Sequence, residues 1–97
     1  MAAAELLFEL KRVYEDGAIV EMKIWRVPVS VRGSQHAFKY SLYYGQHGRR
    51  LIGYDNEAGK GDHRHYGDVQ QDYPFQSIDQ LTADFLADVT AVRGLRL

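Results

Sequence analysis

Phe38-Lys39-Tyr40-Ser41-Leu42-Tyr43-Tyr44 and Arg50-Leu51-Ile52-Gly53-Tyr54-Asp55-Asn56, joined by Gly45-Gln46-His47-Gly48, decide the fold. In the first run Phe38, Tyr40, Leu42 and Tyr44 alternate with Lys39, Ser41 and Tyr43. That period of two marks a strand with one buried face. The glycine-bracketed Gln46-His47 supplies turn chemistry. The return run carries Leu51, Ile52 and Tyr54, and Gly53 within it signals a bulge or a close backbone approach. The stretch reads as a β hairpin.

A similar unit precedes it. Leu6, Phe8 and Leu10 alternate with Leu7, Glu9 and Lys11, and the run continues through Val13 and Tyr14 to a turn at Glu15-Asp16-Gly17. The return strand, Ala18 to Val27, puts Val20, Met22 and Ile24 on one face and Ile19, Glu21, Lys23 and Trp25 on the other, and Pro28 closes it. Val29 to Gln35 reads as a loop. Beyond the second hairpin, Glu57 to Tyr73 shows no clean period, with Gly59, Gly61 and Gly67 punctuating it and a short strand predicted over 62–66. Irregular segments of this length in small domains are often functional.

The last element is a helix. Ile78, Leu81, Phe85, Leu86, Val89 and Val92 recur at helical spacing, so Leu81, Phe85, Leu86 and Val89 are expected to be buried. Ser77 is the N-cap, and Gln80 completes a capping box. Asp79 suits the helix start, Arg93 the end, and Gly94 the C-cap. Asp84 and Asp88 are expected on the outward, solvated face. The chain of 97 residues thus reads as one domain, 1–97, of the α+β class. It is a mainly antiparallel sheet of two hairpins, about four to five strands, with one C-terminal helix on one face. The other face, expected to carry aromatics, calls for a partner or a second copy of the chain.

Composition narrows the function classes. There is no Cys, which removes disulfides, thiolate zinc, iron–sulfur clusters and a thiol nucleophile, and fits the cytoplasm. No apolar run can span a bilayer and no signal peptide is visible. The net charge of -1 does not announce a nucleic-acid binder. Residues 1–66 carry 10 basic against 8 acidic side chains, residues 67–97 carry 2 against 5, and all four His lie between His36 and His65.

Polar chemistry concentrates in Tyr54-Asp55-Asn56-Glu57-Ala58-Gly59-Lys60-Gly61-Asp62-His63-Arg64-His65-Tyr66. Extended backbone puts Asp55 and Glu57 on one face, and His63 and His65 likewise. Three readings stand. The first is RNA cleavage without metal or other cofactor: His63 and His65 as acid and base, Asp62 orienting an imidazole, Lys60 and Arg64 on phosphate, Arg49 and Arg50 extending the basic track. The second is a divalent-metal site with Asp55, Glu57, His63 and His65 as ligands. The third is a solvated loop whose His side chains bond the sheet edge. Tyr40, Tyr43, Tyr44 and Tyr54 suit cross-strand packing, or stacking on unpaired bases. His36 and His47 fall in predicted turns and read as solvated.

Leu51 through His65, with its Gly-Lys-Gly-Asp-His-Arg-His core, resembles the signature of the TumE family, small bacterial and archaeal toxins of toxin–antitoxin pairs. The likeness extends to Glu21 through Pro28, to Phe38 through Gly45, and to Tyr73-Pro74-Phe75 with the following helix. It implies a toxin encoded beside an antitoxin that carries a helix-turn-helix domain, and by analogy it favours a ribonuclease acting on translation. The alternative is a non-catalytic module that grips protein or nucleic acid through the same loop. A shifted His63 or His65 in an open groove favours the enzyme, and both His buried against the helix favour the module.

Overall fold

The computed structural model describes residues 3–94. Six strands, β1 (Glu5–Val13), β2 (Ile19–Arg26), β3 (Phe38–Gln46), β4 (Arg49–Asp55), β5 (His63–Tyr66) and β6 (Val69–Asp72), form one sheet in chain order. Every neighbouring pair is antiparallel, and α1 (Ile78–Gly94) follows. This is the expected α+β arrangement with one hairpin more. β5 and β6 turn tightly at Gly67-Asp68, with Tyr66 opposite Val69. Their sequences, HRHY and VQQD, lack apolar alternation, because β6 is an exposed edge and β5 carries polar groups on both faces. Hydrophobic period alone passes over such a hairpin.

The pleat sorts the side chains. Val20, Met22 and Ile24 of β2, Tyr40, Leu42 and Tyr44 of β3, and Ile52 and Tyr54 of β4 form the core with Leu81, Phe85 and Val89 of α1. Three of the tyrosines are therefore core residues, and Tyr54 meets Tyr73 and Phe85 edge-on. The helix-free face is chiefly polar, and of the four tyrosines only Tyr43 is left to it.

The helix starts as expected, with Gln80 N–H donating to Ser77 Oγ at 3.0 Å. The Gln80 side chain, however, reaches forward to Asp84 at 2.7 Å instead of closing a capping box. Asp84 and Asp88 are not free outward charges. Asp84 accepts a 2.6 Å hydrogen bond from Tyr73, and Asp88 accepts one from Tyr54. Burial, reinforced by these bonds, pushes both phenols above their ordinary range. Arg93 donates to Tyr44 Oη at 3.1 Å, pairs with Asp16 at 3.3 Å and lies over the Tyr14 ring. Polar contacts at three levels thus tie α1 to the sheet, and Leu86, expected inside, is 44% exposed beside β1.

Asn56 closes the other end of the core. It is fully buried, accepts from Tyr40 N–H at 3.0 Å, and donates to Phe38 O at 2.8 Å and Ser34 Oγ at 3.2 Å. Its side chain replaces ladder bonds just where β4 leaves β3. No helix among the described residues is long and apolar enough to cross a membrane.

Phe85 has no exposed surface. Phe85→Ala is therefore expected to destabilise the fold by about 3–5 kcal/mol in urea unfolding, whereas Leu86→Ala should cost under about 1 kcal/mol.

Candidate active site

The β4–β5 register sets Asp55 opposite His63, Tyr54 opposite Arg64, Gly53 opposite His65 and Ile52 opposite Tyr66. Residues directly opposite share a face. Tyr54, Arg64 and Tyr66 therefore join the helix side. Asp55, His63 and His65 share the opposite, helix-free face.

There the Asp55 carboxylate sits between two imidazoles. Its Oδ1 is 2.6 Å from His63 Nε2, and its Oδ2 is 3.8 Å from His65 Nε2. The rings of His63 and His65 meet edge-on, 4.9 Å apart. His63 is almost wholly buried, and its Nδ1–H donates to Gly61 O at 3.0 Å. Asp55 Oδ1 is buried and has no aligned hydrogen-bond donor, so the close approach of His63 Nε2 is a short contact and not a hydrogen bond. The Asp55 side chain keeps 27% of its surface and His65 keeps 10%.

Arg50 completes the group. Its guanidinium lies 3.1 Å from His65 Nδ1. Guanidinium only donates, so Nδ1 is the acceptor and the His65 ring proton is on Nε2, toward Asp55. Gly53 makes room: a Cβ there would stand 2.8 Å from Arg50 Cδ. Burial first, then the Arg50 charge, hold the His65 pKa below its ordinary value, and Asp55 opposes them.

The other predicted residues are dispersed. Asp62 does orient an imidazole, but that of His36, whose Nε2–H donates to it at 2.8 Å; Tyr40 donates to the same oxygen at 2.7 Å. Arg64 donates to Gln71 at 3.3 Å and lies over the Tyr66 ring, on the helix side. Lys60 is exposed and pairs with Glu57 at 3.4 Å, and Glu57 lies outside the group formed by Asp55 and the two His. Arg49 is exposed at the start of β4. His36, read from sequence as solvated, is half-buried and stacks on Phe75 at 3.8 Å. Both His63 and His65 are buried, though on the face away from the helix. No local sequence signal marked His36 or Arg50 as partners, because the contacts join residues 15 and 26 positions apart.

Donor atoms of Asp55, His63 and His65 lie within 4.8 Å of one another, a set that suits a divalent transition metal. A cation held by His65 Nε2 requires the ring proton to move to Nδ1, and Arg50 then has to withdraw.

A family model described as Toxin TumE matches residues 3–93. The chain belongs to the TumE toxin family. Membership gives it a toxin role in a toxin–antitoxin system and a cognate antitoxin as partner. Comparison with curated proteins and with solved structures found no match. The matched region contains the whole Asp55–His63–His65–Arg50 group.

Folding lowers the His65 pKa from 6.5, so between the two values the unfolded chain binds more protons. The contribution to stability is complete above about pH 6.5 and fades as pH falls through the folded value. Arg50→Gln is expected to raise the His65 pKa in an NMR titration and to narrow that window. An unchanged His65 titration would place Arg50 elsewhere.

Proposed function

We propose that the toxin cleaves RNA by general acid–base chemistry on the helix-free face, with His65 as the base. The observation that carries this reading is the Asp55–His65–Arg50 alignment. Asp55 faces the Nε2–H side of the imidazole, and Arg50 covers the Nδ1 lone pair. A phosphodiester draws the guanidinium onto its own oxygens, since charged, bidentate contacts outcompete a neutral acceptor. That frees Nδ1 beside the bound phosphate. His65, held neutral by its lowered pKa, then takes the 2′-hydroxyl proton. The O2′–P bond forms and the P–O5′ bond breaks. The imidazolium, stabilised by Asp55, returns the proton to the departing 5′-oxygen. The products are a 2′,3′-cyclic phosphate end and a 5′-hydroxyl end.

His63 acts as a positioning residue. It is buried, with one nitrogen on Gly61 O and the other on Asp55, and it holds the carboxylate at the ring of His65. Lys60, whose charge reaches His65, extends the phosphate track. Asp62 and Arg64 serve the helix side. The chemistry requires no cofactor. The setting is the cytoplasm, where translation offers RNA, and the antitoxin carries a helix-turn-helix domain as the family resemblance implies.

Induced expression tests this. Growth arrest should come with RNA carrying cyclic-phosphate ends. His65→Ala and Asp55→Asn should abolish both while circular dichroism stays unchanged, since general acid–base groups contribute about 10²–10⁴-fold. Arg50→Ala should lower cleavage by about 10²-fold. Growth arrest with intact RNA favours the binding module. Activity lost to a chelator and restored by a divalent ion makes Asp55, His63 and His65 metal ligands.

A further inference from the structure

The two edges of the sheet are unlike each other. β6 is four residues long and polar, the usual protected edge. β1 is nine residues long, and Leu6, Leu7, Phe8, Leu10 and Val13 on it are all exposed. Its outer side pairs with no strand among the described residues. Such an edge is a template for another strand.

The charges on β1 select the strand. Lys23 pairs with Glu9 at 3.4 Å, and Lys11 with Glu21 at 3.9 Å, so all four lie on the helix-free face. Phe8, Leu10 and Arg12 stand opposite Ile24, Met22 and Val20, on the helix side. A two-fold axis normal to the sheet preserves faces, so it must pass through a residue and not between two. Through Glu9 it opposes Glu9 to its own copy, and through Lys11 it opposes Lys11 to its own copy. Through Leu10 it sets Glu9 against the partner's Lys11 and Lys11 against the partner's Glu9. Leu10 then meets the partner's Leu10, and Phe8 meets the partner's Arg12.

We propose that the chain forms a two-fold dimer by antiparallel β1–β1 pairing centred on Leu10, making one continuous twelve-stranded sheet. Across the junction Lys23, Glu9, the partner's Lys11 and the partner's Glu21 alternate in sign, and the symmetry repeats the row. The apolar side of the junction covers Phe8 and Leu10. The proposal is independent of the RNA-cleavage reading, since Asp55, His65 and Arg50 lie on strands away from this edge.

A charge exchange tests both the surface and the register. The full chain should sediment as a dimer. Glu9→Lys alone and Lys11→Glu alone each set like charges opposite at two places, and each should weaken dimerisation at least about tenfold. Exposed pairs contribute little to folding, so circular dichroism of each variant should be unchanged. An equimolar mixture of the E9K and K11E chains has complementary charges at both places and should recover the dimer. A parent chain that is monomeric, variants that each remain dimeric, or a mixture that does not recover would overturn the proposal.

Discussion

The register between β4 and β5 is the constraint on which the site depends. A strand's side chains alternate, so slipping β5 by one residue against β4 would exchange the faces of β5. His63 and His65 would then turn to the core side and leave Asp55, while Arg64 and Tyr66 would turn out. Gly67 N–H, donating to Leu51 O at 2.9 Å, holds the β5–β6 turn against β4, and two side-chain contacts fix β4 itself. Tyr54 donates its hydroxyl to Asp88 on α1, and Asn56, just past the strand end, occupies the donors and acceptors of β3. The first ties the strand to the helix, the second to its neighbour. The site is thus positioned from the opposite face of the sheet, by residues that never touch it.

Backbone contacts between two loops shape the end of the sheet beside the site. Here the loop between β2 and β3 folds against the loop between β4 and β5. Gly59 N–H donates to Arg32 O at 2.7 Å, and a Cβ on Gly33 would lie 2.7 Å from Gly61 N. Gly61 O in turn receives His63 Nδ1–H. The glycines flanking Lys60 therefore shape a backbone junction that fixes an imidazole.

Both long hairpins and the helix were legible because their apolar residues follow periods of two and 3.6. Ser77 was legible as a cap because capping is local. The β5–β6 hairpin was not, since its strands bury histidines and expose glutamines. Asp84 and Asp88 misled for a related reason: their spacing shows that they share a helix side, but not that tyrosines from β4 and from the segment after β6 rise to meet them. The candidate site was half legible. Alternation brought His63 and His65 together, and it also implied that Asp62 and Arg64 point the other way. Choosing Asp55 over Asp62, and Arg50 over Arg64, required the strand pairing.

Two aspartate–histidine pairs result, and comparing them separates structure from chemistry. In the first, His36 gives Nε2–H to Asp62 and takes Phe38 N–H on Nδ1 at 3.2 Å. Both partners belong to the fold, and the backbone amide cannot leave without breaking it. In the second, His65 turns Nε2–H toward Asp55 and takes Arg50 on Nδ1. That partner is the end of a long side chain reaching from an exposed residue, and an anion can draw it away. An imidazole works as a base only through a lone pair that can be uncovered. His36 has none that can be, His63 has Nδ1 on Gly61 O and Nε2 closed in against the Asp55 carboxylate, and His65 alone of the three keeps one behind a movable group.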